Sequence, residues 1–284
     1  MTPHLALVRF TVGQTLRDRK LLLAMIFLAG PCALALLLRI LSAHIEGTHE
    51  AGERGEGLHV WVRYHMVLMH MILGGSVPMM CMLYGPALLV GEAEAGTLAY
   101  LFTRRLHRAT VLVCRYFGVA IVLSLVAMAG CVAAHGIAVW GDLGNLNETW
   151  PVNWRPPHDL GRYLWIVPLA VLAYLSVFSV MNLITRRSLI ASGVYFIAFE
   201  VALANMPIAA RQYSIIHQLR KTLSAGTPGV SRLFNVPDLA AARLLYPAGK
   251  SGVAVLLLVI AVLLVVACIL AWRRELLASR VARD

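Results

Sequence analysis

Apolar and polar positions alternate along this chain in long blocks rather than at helical or strand spacing. Six blocks approach or reach the ~20 residues that cover a ~30 Å hydrocarbon core. They are Leu21–Leu41, Val67–Val90, Phe117–Trp140, Leu164–Ile184, Leu189–Ile208 and Gly252–Trp272. The fourth and fifth are separated only by Thr185-Arg186-Arg187-Ser188, which predicts a tight hairpin. The expected fold is therefore an all-α integral membrane protein with six transmembrane helices in one domain, residues 21–284. Backbone groups in lipid must be satisfied within the segment itself, which leaves helices as the natural solution for runs of this length.

The polar intervals differ in character. Residues 3–20 set Leu5, Val8, Val12 and Leu16 against Arg9, Arg17, Arg19 and Lys20, the pattern of an amphipathic helix lying in the membrane interface. The interval 91–116 opens with GEAEAGTLAYLFTRRLHR, a charged segment held between two spans. Glu92 and Glu94 precede Gly96-Thr97, and Arg104, Arg105 and Arg108 follow. Anions at the start and cations at the end suit the dipole of a short helix capped by Thr97. Leu98, Leu101, Phe102 and Leu106 give that helix an apolar stripe. It reads either as a plain connector or as a docking knob for a soluble partner.

The long interval 209–250 predicts a short helix over 213–223, with Ile215, Ile216, Leu219 and Leu223 on one face, and a second over Asp238–Leu245. Gly226-Thr227-Pro228-Gly229 marks a turn between them.

Composition agrees with a membrane chain: 60% of the 284 residues are hydrophobic and 14% are charged. With the N-terminus placed in the cytoplasm, the inner intervals 1–20, 91–116, 185–188 and 273–284 are denser in Lys and Arg than the outer ones. The net charge of +11 then reflects topology and contact with anionic lipid. Nucleic-acid binding would need a solvated basic domain, and the pattern offers none. The first apolar run follows twenty mixed residues and is too long for a signal-peptide core. Cys32, Cys81, Cys114, Cys131 and Cys268 fall in or beside apolar runs, so they read as small buried groups.

Catalytic motifs are missing. Gly249-Lys250-Ser251 mimics the end of a phosphate-binding loop, but the first glycine that motif requires would stand where Leu244 does. No zinc-helix motif and no nucleophile elbow is present. Soft donors gather around the second span: His65, Met66, Met69, His70 and Met71, then Met79, Met80, Cys81 and Met82. His65, Met69 and His70 would suit copper, although methionine also serves as flexible apolar filler. Glu200 stands midway along the fifth span, where insertion of a comparable charge costs ~2.5–3.5 kcal/mol. It is expected to be protonated, paired with a polar group, or lining a wet path. Arg39, near the end of the first span, can snorkel.

The layout as a whole, with an amphipathic N-terminal helix, six spans and an acidic Gly-Thr-Leu segment after the second span, resembles the ABC-2-type permease family. These proteins are the membrane subunits of exporter-type ATP-binding-cassette transporters. At residue level the likeness rests on Glu92, Glu94, Gly96, Thr97, Leu98, Leu101, Thr103, Arg104 and Arg108; Ala99 and Arg105 stand where the family commonly has glutamate and proline.

The resemblance implies that Glu92–Arg108, Arg105 included, is a coupling helix seated on a separate ATPase subunit, with residues 3–20 as the connecting helix beside it. It implies that ATP and Mg are bound by that partner and that this chain binds no cofactor. It further implies a second permease protomer, a substrate path near Glu200, Asn205, Met79 and Met82, and residence in a bacterial inner membrane. Two other classes remain open: a membrane-anchored enzyme or scaffold without transport, and a metal-handling permease using His65, Met69 and His70.

Overall fold

The computed structural model describes residues 3–46, 66–85, 88, 108–139, 156–185, 187–203, 209–224 and 252–281. Every regular element among them is helical. Helix α1 spans Pro3–Arg17 and α2 spans Arg19–Glu46. A π-helical stretch, Met66–Ser76, leads directly into α3, Val77–Tyr84. Helices α4 (Arg108–Val139) and α5 (Pro156–Ile184) follow. Helix α6, Ser188–Tyr195, continues as a second π-helical stretch, Phe196–Leu203. A 3-10 turn, Ala209–Tyr213, introduces the short α7, Ile215–Ser224, and α8 covers Val253–Val281.

Among the described residues, four helices are long and apolar enough to cross a membrane: Arg19–Leu41, Ala109–Ile137, Leu160–Ile184 and Val253–Arg273. Two shorter apolar helices, Met71–Tyr84 and Leu189–Ala202, accompany them. The described residues thus contain four candidate spans where the hydrophobic pattern predicts six. The expected second and fifth spans are represented by the two shorter helices, and parts of both expected segments fall outside the described residues.

Helix α5 is the hub, with 72% of its apolar window buried, against 22% for α2 and 17% for α8. Small residues permit this. Ala170, Ala173, Ser176 and Ser179 are all buried, so neighbouring backbones approach closely, and Tyr174 and Phe178 fill the space between them. Around α5 pack α3, α4, α6, α7 and α8, while α1 and α2 lie against α4. Leu22, Ile26, Leu37 and Ile40 of α2, and Leu258, Val262 and Val265 of α8, point outward. An outer surface of that kind is what a membrane protein presents to lipid.

Residue Asp18 makes the break between α1 and α2. Its carboxylate accepts from the Lys20 amide at 3.1 Å and its carbonyl from the Leu21 amide at 3.0 Å, which caps the start of α2. Helix α1 does not present Leu5 or Leu16 to the bundle. Its buried face is Thr11 and Thr15, flanked by half-buried Val8 and Val12, whereas Leu5 and Leu16 are exposed. Each threonine hydroxyl bonds back to the preceding turn, Thr11 to the Leu7 carbonyl at 2.9 Å and Thr15 to the Thr11 carbonyl at 2.8 Å. Only methyl groups then remain to pack. That of Thr11 meets Gly118 of α4, where an added Cβ would lie 2.8 Å from Thr11 Cβ.

The backbone acceptor that Pro31 leaves free inside α2 has a partner on another element. Proline has no amide proton, so the carbonyl four residues earlier, that of Phe27, loses its helical donor. The Ser76 hydroxyl takes that place at 2.7 Å. Replacing Ser76 with alanine is expected to lower stability by about 1 kcal/mol, since a part-buried acceptor loses its donor. Adding Pro31→Ala in that background is expected to restore part of the loss, because alanine supplies the missing N–H. Thermal unfolding of the single and double variants checks both; a double variant no more stable than Ser76→Ala would contradict this account. At the far end of α2, the Arg39 guanidinium donates to the Ile137 carbonyl in the last turn of α4 at 3.1 Å, a cation placed at a helix C-terminus.

Candidate functional site

The fully buried Glu200 is the centre of the site. It lies in the π-helical stretch after α6, where a wider turn re-aims side chains and which is a frequent setting of functional residues. Its Oε1 accepts from the Tyr195 hydroxyl at 3.1 Å and the Ile215 amide at 3.2 Å. Its Oε2 accepts from the Ser214 hydroxyl at 2.9 Å, the Ile216 amide at 3.0 Å and, at a longer 3.4 Å, the Tyr174 hydroxyl. All five contacts are donors, the set a carboxylate requires.

The two amides belong to the first turn of α7, and Ser214 is the residue just before it. The Ser214 hydroxyl oxygen accepts in turn from the His217 amide at 3.4 Å, and the Ser214 carbonyl from the Gln218 amide at 3.2 Å. The three amides that open α7 are therefore satisfied by two side chains, and a carboxylate sits at the positive end of the helix dipole. Bonds to a charged group are worth about 1.5–3 kcal/mol each, which offsets the several kcal/mol required to bury an ion. In this arrangement little acceptor capacity is left for a substrate. Glu200 holds a helix.

The two tyrosines that bond the carboxylate belong to a run of aromatic rings. Tyr174 stacks with Phe178 at 6.2 Å, Phe178 meets Tyr195 edge-on at 6.3 Å, and Tyr195 stacks with Phe199 at 5.4 Å. Tyr174 and Phe178 are fully buried, so the bonds on their side of the carboxylate are kept from water, whereas Phe199 lies on the outer surface.

The predicted helix over 213–223 is present, and its expected apolar face, Ile215, Ile216, Leu219 and Leu223, is buried. The opposite face is buried as well. His217, Gln218 and Arg220 are each under 8% exposed, so α7 is an internal helix rather than a surface one. Burial, with Arg211, Arg220 and Lys221 nearby, holds the His217 imidazole below its usual pKa. The C-terminal end of α7 is tied to the start of α8: the Gly252 amide donates to Thr222 Oγ1 at 3.1 Å, and the Thr222 hydroxyl donates to the Gln218 carbonyl at 2.8 Å.

A second buried polar node lies by α1. Arg115 of α4 donates to the Leu88 carbonyl at 3.1 Å and to Gln14 Oε1 at 3.3 Å. It thereby joins α1, α4 and the chain that follows α3. Beside it, Ala6, Arg9, Phe10, Gly13, Gln14, Arg17 and Asp18 line an open groove of about 960 Å³.

Of the residues singled out from sequence, Met79 and Met82 are half-buried in α3, and Met82 Sδ would touch a Cβ added at Gly193, 4.0 Å away in α6. Met82 and the Glu200 helix are thus neighbours. Asn205, His65, Glu92, Glu94, Gly96, Thr97, Leu98, Leu101, Arg104 and Arg105 lie outside the described residues. Arg108 opens α4, so residues 108–116, expected to end the polar interval, already form its first turns. Met69 and His70 fall in the first π-helical stretch, and among the described residues no group of three metal-binding side chains comes together. Nothing in the spacing of Tyr174, Tyr195 and Ser214 marks them as partners of Glu200. Ser214 does carry a signal of its own, since serine before an apolar helical run marks a helix start.

The chain was compared with known protein families and with curated proteins, and neither comparison finds a match.

Proposed function

We propose that this protein is the permease subunit of an exporter-type ATP-binding-cassette transporter. The observation that carries the reading is the segment Gly91–Arg108, with its acidic start, Gly-Thr-Leu turn and basic end, set between apolar helices in a chain without a nucleotide-binding motif. In this reading the chain crosses the inner membrane six times with both termini in the cytoplasm, and the segment receives force from a separate ATPase subunit. Two permease protomers enclose the path, and ATP and Mg belong to the partner.

Two structural features support it. The last described residue before that segment, Leu88, and the helix that leaves it, α4, are both bonded or packed to α1 through Arg115. A push on the segment is therefore passed to α1 and, across the Asp18 cap, to α2. The second feature is the pair of π-helical stretches, which fall in the expected second and fifth spans, where the path is placed.

Affinity purification from the native membrane tests the proposal. The protein is expected to carry with it an ATP-hydrolysing polypeptide that has the phosphate-binding loop this chain lacks. Glu92→Lys together with Glu94→Lys is expected to reduce the retained ATPase at least about tenfold, because the charge presented at the contact is reversed. A wild-type protein that retains no ATPase, or a double variant that retains as much as wild type, would refute the docking role.

A further inference from the structure

The short helix α7 is held at both ends by groups far apart in the chain. Glu200 and Ser214 fasten its first turn, and Thr222 fastens its last turn to Gly252. Gly252 is required there, because an added Cβ would lie 2.6 Å from both the Gln218 carbonyl oxygen and Oε1. Between these fastenings, His217 Nδ1 and Gln218 Oε1 are buried without a partner among the described residues. The apolar face and the two end contacts favour docking, while those two polar atoms favour release to water.

We propose that α7 is a releasable brace between the α6 π-helical stretch and the start of α8, and that Glu200 is the positioning residue that latches it. While latched, α7 ties the fifth and sixth apolar segments to one another across α5. Released, it frees those segments to move apart and bares His217 and Gln218 toward the space between them. That the brace opens and closes within a transport cycle rests on the reading as a transporter subunit; the latch itself does not.

Amide hydrogen exchange on the purified full-length protein tests the latch with no partner present. The Ile215, Ile216 and His217 amides are expected to be protected. Glu200→Gln is expected to speed their exchange about tenfold or more, since it sets an amide donor against some of these donors. Ser214→Ala, a milder change, is expected to speed the same three amides by a smaller factor, and it carries the test if Glu200→Gln fails to fold. Glu200→Asp keeps the charge on a shorter stem and is expected to fall between wild type and Glu200→Gln. Unchanged exchange at these amides in Ser214→Ala and in every folded Glu200 variant would overturn the latch.

The cycle is tested in the complex with its ATPase. Wild-type α7 is expected to exchange about tenfold faster in one of two states, nucleotide-free or ATP-trapped. Equal exchange in both would overturn the opening of the brace even with the latch upheld. Failure of the transporter reading would look different, as a protein that shows the latch yet retains no ATPase.

Discussion

Glu200→Ala is expected to destabilise the protein by about 3 kcal/mol or more, a larger loss than truncating Ser76 or Arg115 should cause. Alanine removes the acceptor of five donors at once. The tyrosine and serine hydroxyls can rotate toward other acceptors. The Ile215 and Ile216 amides cannot, because they are fixed in the first turn of a buried helix. A buried donor without an acceptor costs about 1–3 kcal/mol, and two such amides with the cavity left by the side chain account for the total. Thermal unfolding in detergent, followed by circular dichroism, measures it. A loss below about 1 kcal/mol would mean that α7 stays docked by its apolar face alone, with the cap contributing little.

Arg115→Ala is expected to follow, at about 2–3 kcal/mol. The guanidinium is buried in α4 and serves two acceptors on different elements, the Leu88 carbonyl and Gln14 Oε1. Lysine reaches only one of them, since it lacks the planar fork, so Arg115→Lys is expected to recover less than half of the loss. The variants are distinguished by where the damage appears: amides of α1 are expected to exchange faster, while those of α7 keep their wild-type rates. Equal acceleration in both helices would indicate general loosening and would remove Arg115 from its place as a local tie.

The hydrophobic pattern makes the long elements legible and their ends much less so. The run Leu21–Leu41 lies inside α2, which reaches Glu46, and the run Phe117–Trp140 corresponds to an α4 that begins nine residues earlier, at Arg108. Apolarity marks where a helix can meet lipid, whereas helix ends follow backbone bonds and caps such as Asp18. The face of α1 misleads for a related reason. Leucine and valine outrank threonine on any hydropathy scale, yet Thr11 and Thr15 face the bundle because their hydroxyls are satisfied within the helix and Gly118 offers a flat surface. The candidate site is half legible. An acidic residue in an apolar run is conspicuous, and so is the periodic face of α7. That the two meet depends on a tertiary contact between residues 200 and 214–216, which no local spacing encodes.

The Thr222–Gly252 tie also sets an order of events during synthesis. A chain still on the ribosome can form the Glu200 cap as soon as residue 216 has emerged, but the bond from Thr222 must wait for residue 252. The tie between α7 and α8 therefore cannot form until the α8 segment has been delivered, and its formation reports that translation has passed residue 252.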